Sequence, residues 1–159
     1  NEIYDSRIEN SCIGDENKID NCVITDAKVS NQNQIGPYVH LRPNADIKDG
    51  TRLGNFVEVK NSTIGNGTKV SHLTYVGDGE IGENTNVGCG VVFVNYDGKN
   101  KYKTKVGNNC FVGCNVNLVA PITIEDNVYI AAGSTLTDDV EKNSLAIARS
   151  RQTIKNNKF

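Results

Sequence analysis

Residues 106–136 read VGNNCF VGCNVN LVAPIT IEDNVY IAAGST L, with aliphatic residues at Val106, Val112, Leu118, Ile124, Ile130 and Leu136, a constant step of six. The same step appears upstream at Ile35, Leu41, Ile47, Leu53 and Val59. With 37% of residues hydrophobic, roughly four of these eleven positions are apolar by chance, and all eleven are. With some five-residue steps the lattice also takes in Ile3, Ile8, Ile13, Ile19, Ile24 and Val29, then Ile64, Val70, Val76, Ile81, Val87 and Phe93. Nine of the fifteen glycines directly follow a lattice position, among them Gly54, Gly77 and Gly113. Four residues after a lattice position the side chain is mostly small or apolar, as at Ala45, Val57, Thr74, Val91 and Ser134. A six-residue step suits neither an α-helix nor one long alternating strand. It suits short strands joined by tight corners, which glycine and asparagine accommodate. The reading is an all-β, parallel solenoid with three six-residue sides per coil and coils about 4.8 Å apart.

The rest of the composition narrows the function. The chain has 159 residues, 17 Lys+Arg against 19 Asp+Glu and a net charge of −2. That is one domain's length, and the near-neutral balance argues against a surface given over to nucleic acid or an anionic membrane. No apolar run approaches the ~20 residues of a membrane span, and no signal-peptide pattern opens the chain. Five cysteines without a CxxC pair suggest reduced thiols and a cytoplasmic location. Two histidines, His40 and His72, about two coils apart, make a metal site a poor reading, and none is expected. The chain starts at Asn1 and has no Met, so it reads as part of a longer polypeptide.

The lattice breaks once before its end. Phe93 to Val106 spans thirteen residues and holds the turn signal Asn95-Tyr96-Asp97-Gly98 followed by Lys99, Lys101, Lys103 and Lys105. One residue beyond two hexads requires a loop that bulges from the prism, a place where rigid scaffolds carry function. After Leu136 the lattice ends, so the chain divides into a solenoid over 1–140 and a C-terminal arm over 141–159.

Coil geometry supplies the chemistry. Eighteen residues per coil between Leu41 and Val59 put Arg42 and Lys60 in the same outward position on successive coils. Two cations stacked ~5 Å apart repel by roughly 1 kcal/mol in water, and an anion between them reverses the sign. Arginine and lysine together suit a phosphate. His72 takes the third place of the hexad that starts at Val70, and Tyr75 ends that hexad. Imidazole is the side chain best matched to accept a proton at neutral pH.

The segments Ile35–Pro43 (IGPYVHLRP), Gly54–Lys60 (GNFVEVK), Ser71–Asp78 (SHLTYVGD), Asn95–Gly98 (NYDG), Leu118–Pro121 (LVAP) and Ala146–Arg149 (AIAR) carry a resemblance. They resemble the C-terminal acetyltransferase domain of the bacterial bifunctional N-acetylglucosamine-1-phosphate uridyltransferase / glucosamine-1-phosphate acetyltransferase family, from about Ile35 to Gln152. The resemblance implies a left-handed, triangular hexapeptide-repeat β-helix. It also implies acetyl transfer from acetyl-coenzyme A to the amino group of glucosamine 1-phosphate, on the way to UDP-N-acetylglucosamine and the cell wall. In that family's pattern His72 is the general base, Arg42 and Lys60 hold the sugar phosphate, and Tyr75 and Asn86 orient the sugar. Lys101 adds charge near a phosphate. Cys89, Asn95, Tyr96, Cys114, Ala132 and Arg149 line the cofactor groove. The family is homotrimeric, with active sites between subunits. Cys89 and Cys114 depart from it, standing where members have alanine- or serine-like residues, and imply thiol sensitivity. The glycine-rich opening of the uridyltransferase half is absent, so neither uridyl transfer nor its magnesium is expected. Two other readings remain open: a hexapeptide acyltransferase with another acceptor, or a non-enzymatic oligomerisation solenoid.

Overall fold

A computed structural model describes residues 1–156, and among them there are strands and turns but no helix. Three walls wind around one core, and every strand pairing is parallel. The first wall stacks nine strands, from Glu2–Tyr4, Lys18–Asp20 and Gln34–Ile35 up to Tyr129–Ile130 and Leu145–Ala146. Arg52–Lys60 and Lys69–Gly77 run on from this wall around a corner into the second, where they continue Arg7–Glu9, Val23–Thr25 and His40–Leu41. Above them on the second wall lie Val92–Val94, Asn117–Val119 and Thr135–Leu136. The third wall runs from Cys12–Ile13 to Ile122–Ile124.

The periodic residues meet in register. Ile19, Ile35, Leu53, Val70, Val87, Val112 and Ile130 face one another up the first wall. Together with Leu41, Val59, Ile64, Leu118 and Ile124 they form a column of buried aliphatic side chains. Small residues at the fifth place, such as Ala45, Val57 and Ser134, are buried with them and let the walls close. Leu118 is fully buried. Its replacement by alanine is expected to cost about 2–5 kcal/mol, read as a lower urea midpoint at unchanged slope.

The corners explain the asparagines. Where the third wall turns into the first, Glu16, Gln32, Gly50, Gly67, Asn84, Asn109, Asn127 and Asn143 all have φ between 52° and 67°. That is left-handed backbone, which Gly and Asn adopt most cheaply. The corner from the first wall to the second instead places Tyr38 (φ 61°), Phe56 (φ 60°) and Leu73 (φ 39°) in this region. These side chains stand exposed in a row, Tyr38 stacked on Phe56 at 5.4 Å. Gly79 is required for a different reason. A Cβ there would meet the ring of Phe93, the largest fully buried side chain.

Two features follow the breaks in the lattice, and a third departs from the sequence expectation. Coil length varies: eighteen residues separate Leu41 from Val59, but sixteen separate Ile3 from Ile19 and seventeen Leu53 from Val70. The coil from Val87 to Val112 takes twenty-five. Its excess is a single excursion between Val92–Val94 and Thr104–Val106, the loop that the break in the lattice requires. Tyr96 and Lys101 bridge antiparallel across this excursion, and Asp97 Oδ1 accepts from the amides of Lys99 and Asn100 at its tip. Finally, the ladder continues past Leu136. Val140 bridges Ile124, Leu145–Ala146 pairs with Tyr129–Ile130, and the Thr135 amide donates to Ala148 O at 3.1 Å. Residues 157–159 of the expected arm lie outside the described residues.

Candidate functional site

The second wall and its two corners carry most of the expected residues. Leu41 pairs with Val59, and the Arg42 amide donates to Val59 O at 2.8 Å, so Arg42 stands one rung below Lys60 as the coil count requires. The excursion brings Lys101 to the same place. Lys101 beside it, and then Arg42, hold the Lys60 ammonium below the ordinary lysine range, while Asp78 pulls the other way. Three cations thus gather at the edge where the second wall turns into the third. The Arg42 guanidinium is partly neutralised, since Nη1 donates to Glu58 Oε1 at 2.8 Å.

Tyr75 pairs with Glu58 and stands mid-wall, not at a corner as the hexad count places it. Gly77 is the rung above Lys60. Its missing side chain is occupied by the Tyr75 ring, which a Cβ at position 77 would strike. The phenol therefore lies flat along the wall just above the cations. Asn95, buried to 8% exposure, roots the excursion and gives its side-chain amide to Asp78. Tyr96 is exposed, its hydroxyl donating to Gly98 O.

The remaining residues form a second line along the other corner. Asn55 pairs with His72, and His72 is exposed beside the left-handed Leu73. The registers Val70–Val87, Val87–Val112 and Val112–Ile130 stack Cys89, Cys114 and Ala132 above it. Arg149 tops this line, its Cδ placed 3.7 Å from where a Cβ on Gly133 would be. Cys89 is half-buried, Cys114 exposed, and both are free thiols. Asn86 is apart from both groups, on the first wall between Lys69 and Phe111. One chain therefore assembles a cation cluster at one edge of the second wall and the His72 line at the other. Five residues separate His72 from Gly77, and because the chain turns the Leu73 corner between them the two lie less than about 16 Å apart.

Two residues of this site escaped the sequence reading as participants: Glu58 and Asp78. Glu58 was detectable in principle, because it lies two residues before Lys60 in the same strand and so on the same face. Asp78 occupies a left-handed corner (φ 50°), where an acidic residue reads simply as turn chemistry.

The electrostatics predict a proton coupling. An anion between Arg42, Lys60 and Lys101 relieves the repulsion that depresses Lys60, so its pKa rises on binding. Binding of a phosphate monoester on the alkaline side is expected to take up protons, and affinity to fall with pH before ordinary lysines titrate at about 10.4. Calorimetry in two buffers of different ionisation heat reads this directly. Lys60→Met should abolish the buffer dependence, and a buffer-independent heat in the unaltered protein contradicts the cluster.

Comparison with known proteins agrees with this architecture. Residues 103–138, the run with the most regular six-residue step, match the family described as bacterial transferase hexapeptide (six repeats). The chain is 54% identical over 150 residues to the bifunctional protein GlmU of Acetivibrio thermocellus, an overlap of 94% of this chain and 32% of that protein. It is 56% identical over 150 residues to the GlmU of Clostridium acetobutylicum, covering 94% and 33%. The chain thus spans about a third of the length of the curated relatives it matches. Among solved structures, the acetyltransferase domain of PglB from Neisseria gonorrhoeae in complex with acetyl coenzyme A superposes with a TM-score of 0.67 at 18% identity. That overlap takes in 74% of this chain and 55% of the other, and at such identity it speaks for the fold alone. The chain is a parallel β-solenoid that matches the hexapeptide-repeat model over residues 103–138 and is similar over nearly its whole length to about a third of the bifunctional proteins named GlmU.

Proposed function

We propose that this chain transfers the acetyl group of acetyl-coenzyme A to the 2-amino group of glucosamine 1-phosphate, giving N-acetylglucosamine 1-phosphate, a step toward UDP-N-acetylglucosamine. The observation that carries the reading is the convergence of Arg42, Lys60 and Lys101 beneath the Tyr75 ring. It is a site for a compact anion with a flat, hydrogen-bonding neighbour, as a sugar phosphate needs. Identity of 54–56% to bifunctional proteins supports it.

In this reading the amine nitrogen attacks the thioester carbonyl, His72 takes the nitrogen's proton, and the tetrahedral adduct collapses with loss of coenzyme A thiolate. The backbone at Cys89 donates to the oxygen that gains charge. The line Cys89, Cys114, Ala132 and Arg149 gives the cofactor a path up the corner, with Arg149 toward its phosphates, and Asn95 and Tyr96 touch its arm. Asn86 joins Tyr75 in orienting the sugar.

The chain does not complete this arrangement alone. His72 and the cations stand at opposite edges of the second wall, and Asn86 faces another wall. We infer a homotrimer whose active sites lie between copies, with the exposed row of Tyr38, Phe56 and Leu73 as apolar surface available for the contact. Among the described residues no helix is long and apolar enough to cross a membrane. Five free cysteines fit a reducing cytoplasm.

The test is acceptor competition, with product identified by mass. Glucosamine 1-phosphate is expected to be acetylated on nitrogen, and far faster than glucosamine or serine. Equal rates with phosphate-free acceptors point to another acyltransferase, and no transfer to any acceptor points to a non-enzymatic solenoid.

A further inference from the structure

The excursion that delivers Lys101 is tied to the prism at one residue. Asp78 sits on the corner rung directly below the point where the chain leaves the second wall. Its carboxylate accepts from two side-chain amides, Oδ1 from Asn61 Nδ2 at 2.6 Å and Oδ2 from Asn95 Nδ2 at 2.5 Å. Its own amide donates to Lys60 O at 3.1 Å, and its carbonyl accepts from the Thr104 amide at 3.2 Å. Asn95 is where the excursion departs and Thr104 where it returns. Asn95 in turn receives the Tyr102 amide on its carbonyl at 2.8 Å. A polar crevice of about 390 Å³ runs under this tie, lined by Asn61, Asp78, Glu80, Lys101 and Tyr102.

Corner geometry does not explain the charge. Of the equivalent positions below, Asn10 (φ 45°), Asn44 (φ 64°) and Asn61 (φ 46°) are asparagines and Asp26 (φ 48°) an aspartate in the same left-handed backbone, so either side chain suits the corner and an amide would serve at 78 as well. An amide has one acceptor oxygen, whereas a carboxylate has two and only accepts. Because it only accepts, it also fixes the Asn95 amide with nitrogen inward and carbonyl oxygen outward. The charge has an apparent disadvantage, since a carboxylate beside Lys60 opposes an incoming phosphate. Its retention within a phosphate site needs a reason.

We propose that Asp78 is a positioning residue: by clamping Asn95 and the returning strand it holds the excursion so that Lys101 completes the cation cluster with Lys60 and Arg42. The inference rests on the acetyltransferase reading for its kinetic consequence, but its structural half stands apart from it.

The variant Asp78→Asn keeps shape and backbone preference while removing one acceptor. Loss of the tie is expected to speed amide hydrogen exchange at Tyr102 and Thr104. It is also expected to raise KM for glucosamine 1-phosphate about tenfold, the scale of one charge-assisted contact, with KM for acetyl-coenzyme A little changed. The effect should vanish in a Lys101→Met background, because the two residues then act as one unit. Asn61→Gly, which removes the other carboxylate partner, should leave Tyr102 exchange slow. A lower KM in Asp78→Asn would make Asp78 a bystander charge, and an additive effect with Lys101→Met would make its role independent of the loop. Either result overturns the proposal, as does unchanged exchange at Tyr102. Should the unaltered chain fail to acetylate glucosamine 1-phosphate, the acetyltransferase reading falls, and the exchange measurement still decides whether Asp78 holds the loop.

Discussion

His72→Ala is expected to lower turnover by about two to four orders of magnitude, the range that a positioned general base contributes. The attacking ammonium must lose one proton before attack and another as the adduct forms, and in the proposed mechanism the exposed imidazole at the foot of the corner line takes one. Folding should survive, because the side chain is exposed and the ladder around it is made by backbone groups and by buried Val70, Thr74 and Val76. The loss should therefore fall on kcat, with KM for glucosamine 1-phosphate and the thermal midpoint nearly unchanged. A variant that keeps its turnover removes His72 from the mechanism, whatever becomes of the fold.

Arg42→Ala should act on binding, and its effect is larger than one contact. The arginine contributes charge to the anion and also neutralises Glu58 at 2.8 Å. Without it, the Glu58 carboxylate faces the phosphate unpaired, so attraction is lost and repulsion appears together. KM for glucosamine 1-phosphate is expected to rise about 10- to 100-fold with KM for acetyl-coenzyme A unchanged, a charge-assisted hydrogen bond accounting for the lower figure. Adding Glu58→Gln should recover part of the loss, which separates the two contributions. If only the acetyl-coenzyme A KM moves, the cations serve the cofactor and the assignment of the phosphate is wrong.

The fold was legible because a solenoid writes its tertiary contacts into a local period. Each aliphatic position stacks on the one a coil away, so Leu41–Val59 and Val112–Ile130 registers follow from counting. The stacking of Arg42 under Lys60 followed from the same count. The five-residue steps at Ile3–Ile8–Ile13 and Val59–Ile64 mark the corners that take one residue fewer. Hence coils of sixteen and seventeen residues mingle with those of eighteen. The excursion was legible too: Phe93 to Val106 breaks the six-residue step, and Lys99 and its neighbours offer no inward aliphatic residue, so that stretch leaves the wall. The last coil was hidden because its inward positions are Val140, Ala146 and Ala148, half-buried and spaced off the lattice. Rotamers of long side chains lie beyond any period. The Arg42–Glu58 ion pair, the Tyr75 ring folded over Gly77 and the Asp78–Asn95 clamp depend on them, and each appears only once the chain is folded.

The most direct measurement is a crystal structure of the protein with glucosamine 1-phosphate and coenzyme A bound. It should show the sugar phosphate within hydrogen-bond distance of Arg42 and Lys60, with the amine turned toward a His72 imidazole across a contact between copies. The sugar phosphate seated on Arg149 at the other corner, with Arg42 and Lys60 in open solvent, would contradict it.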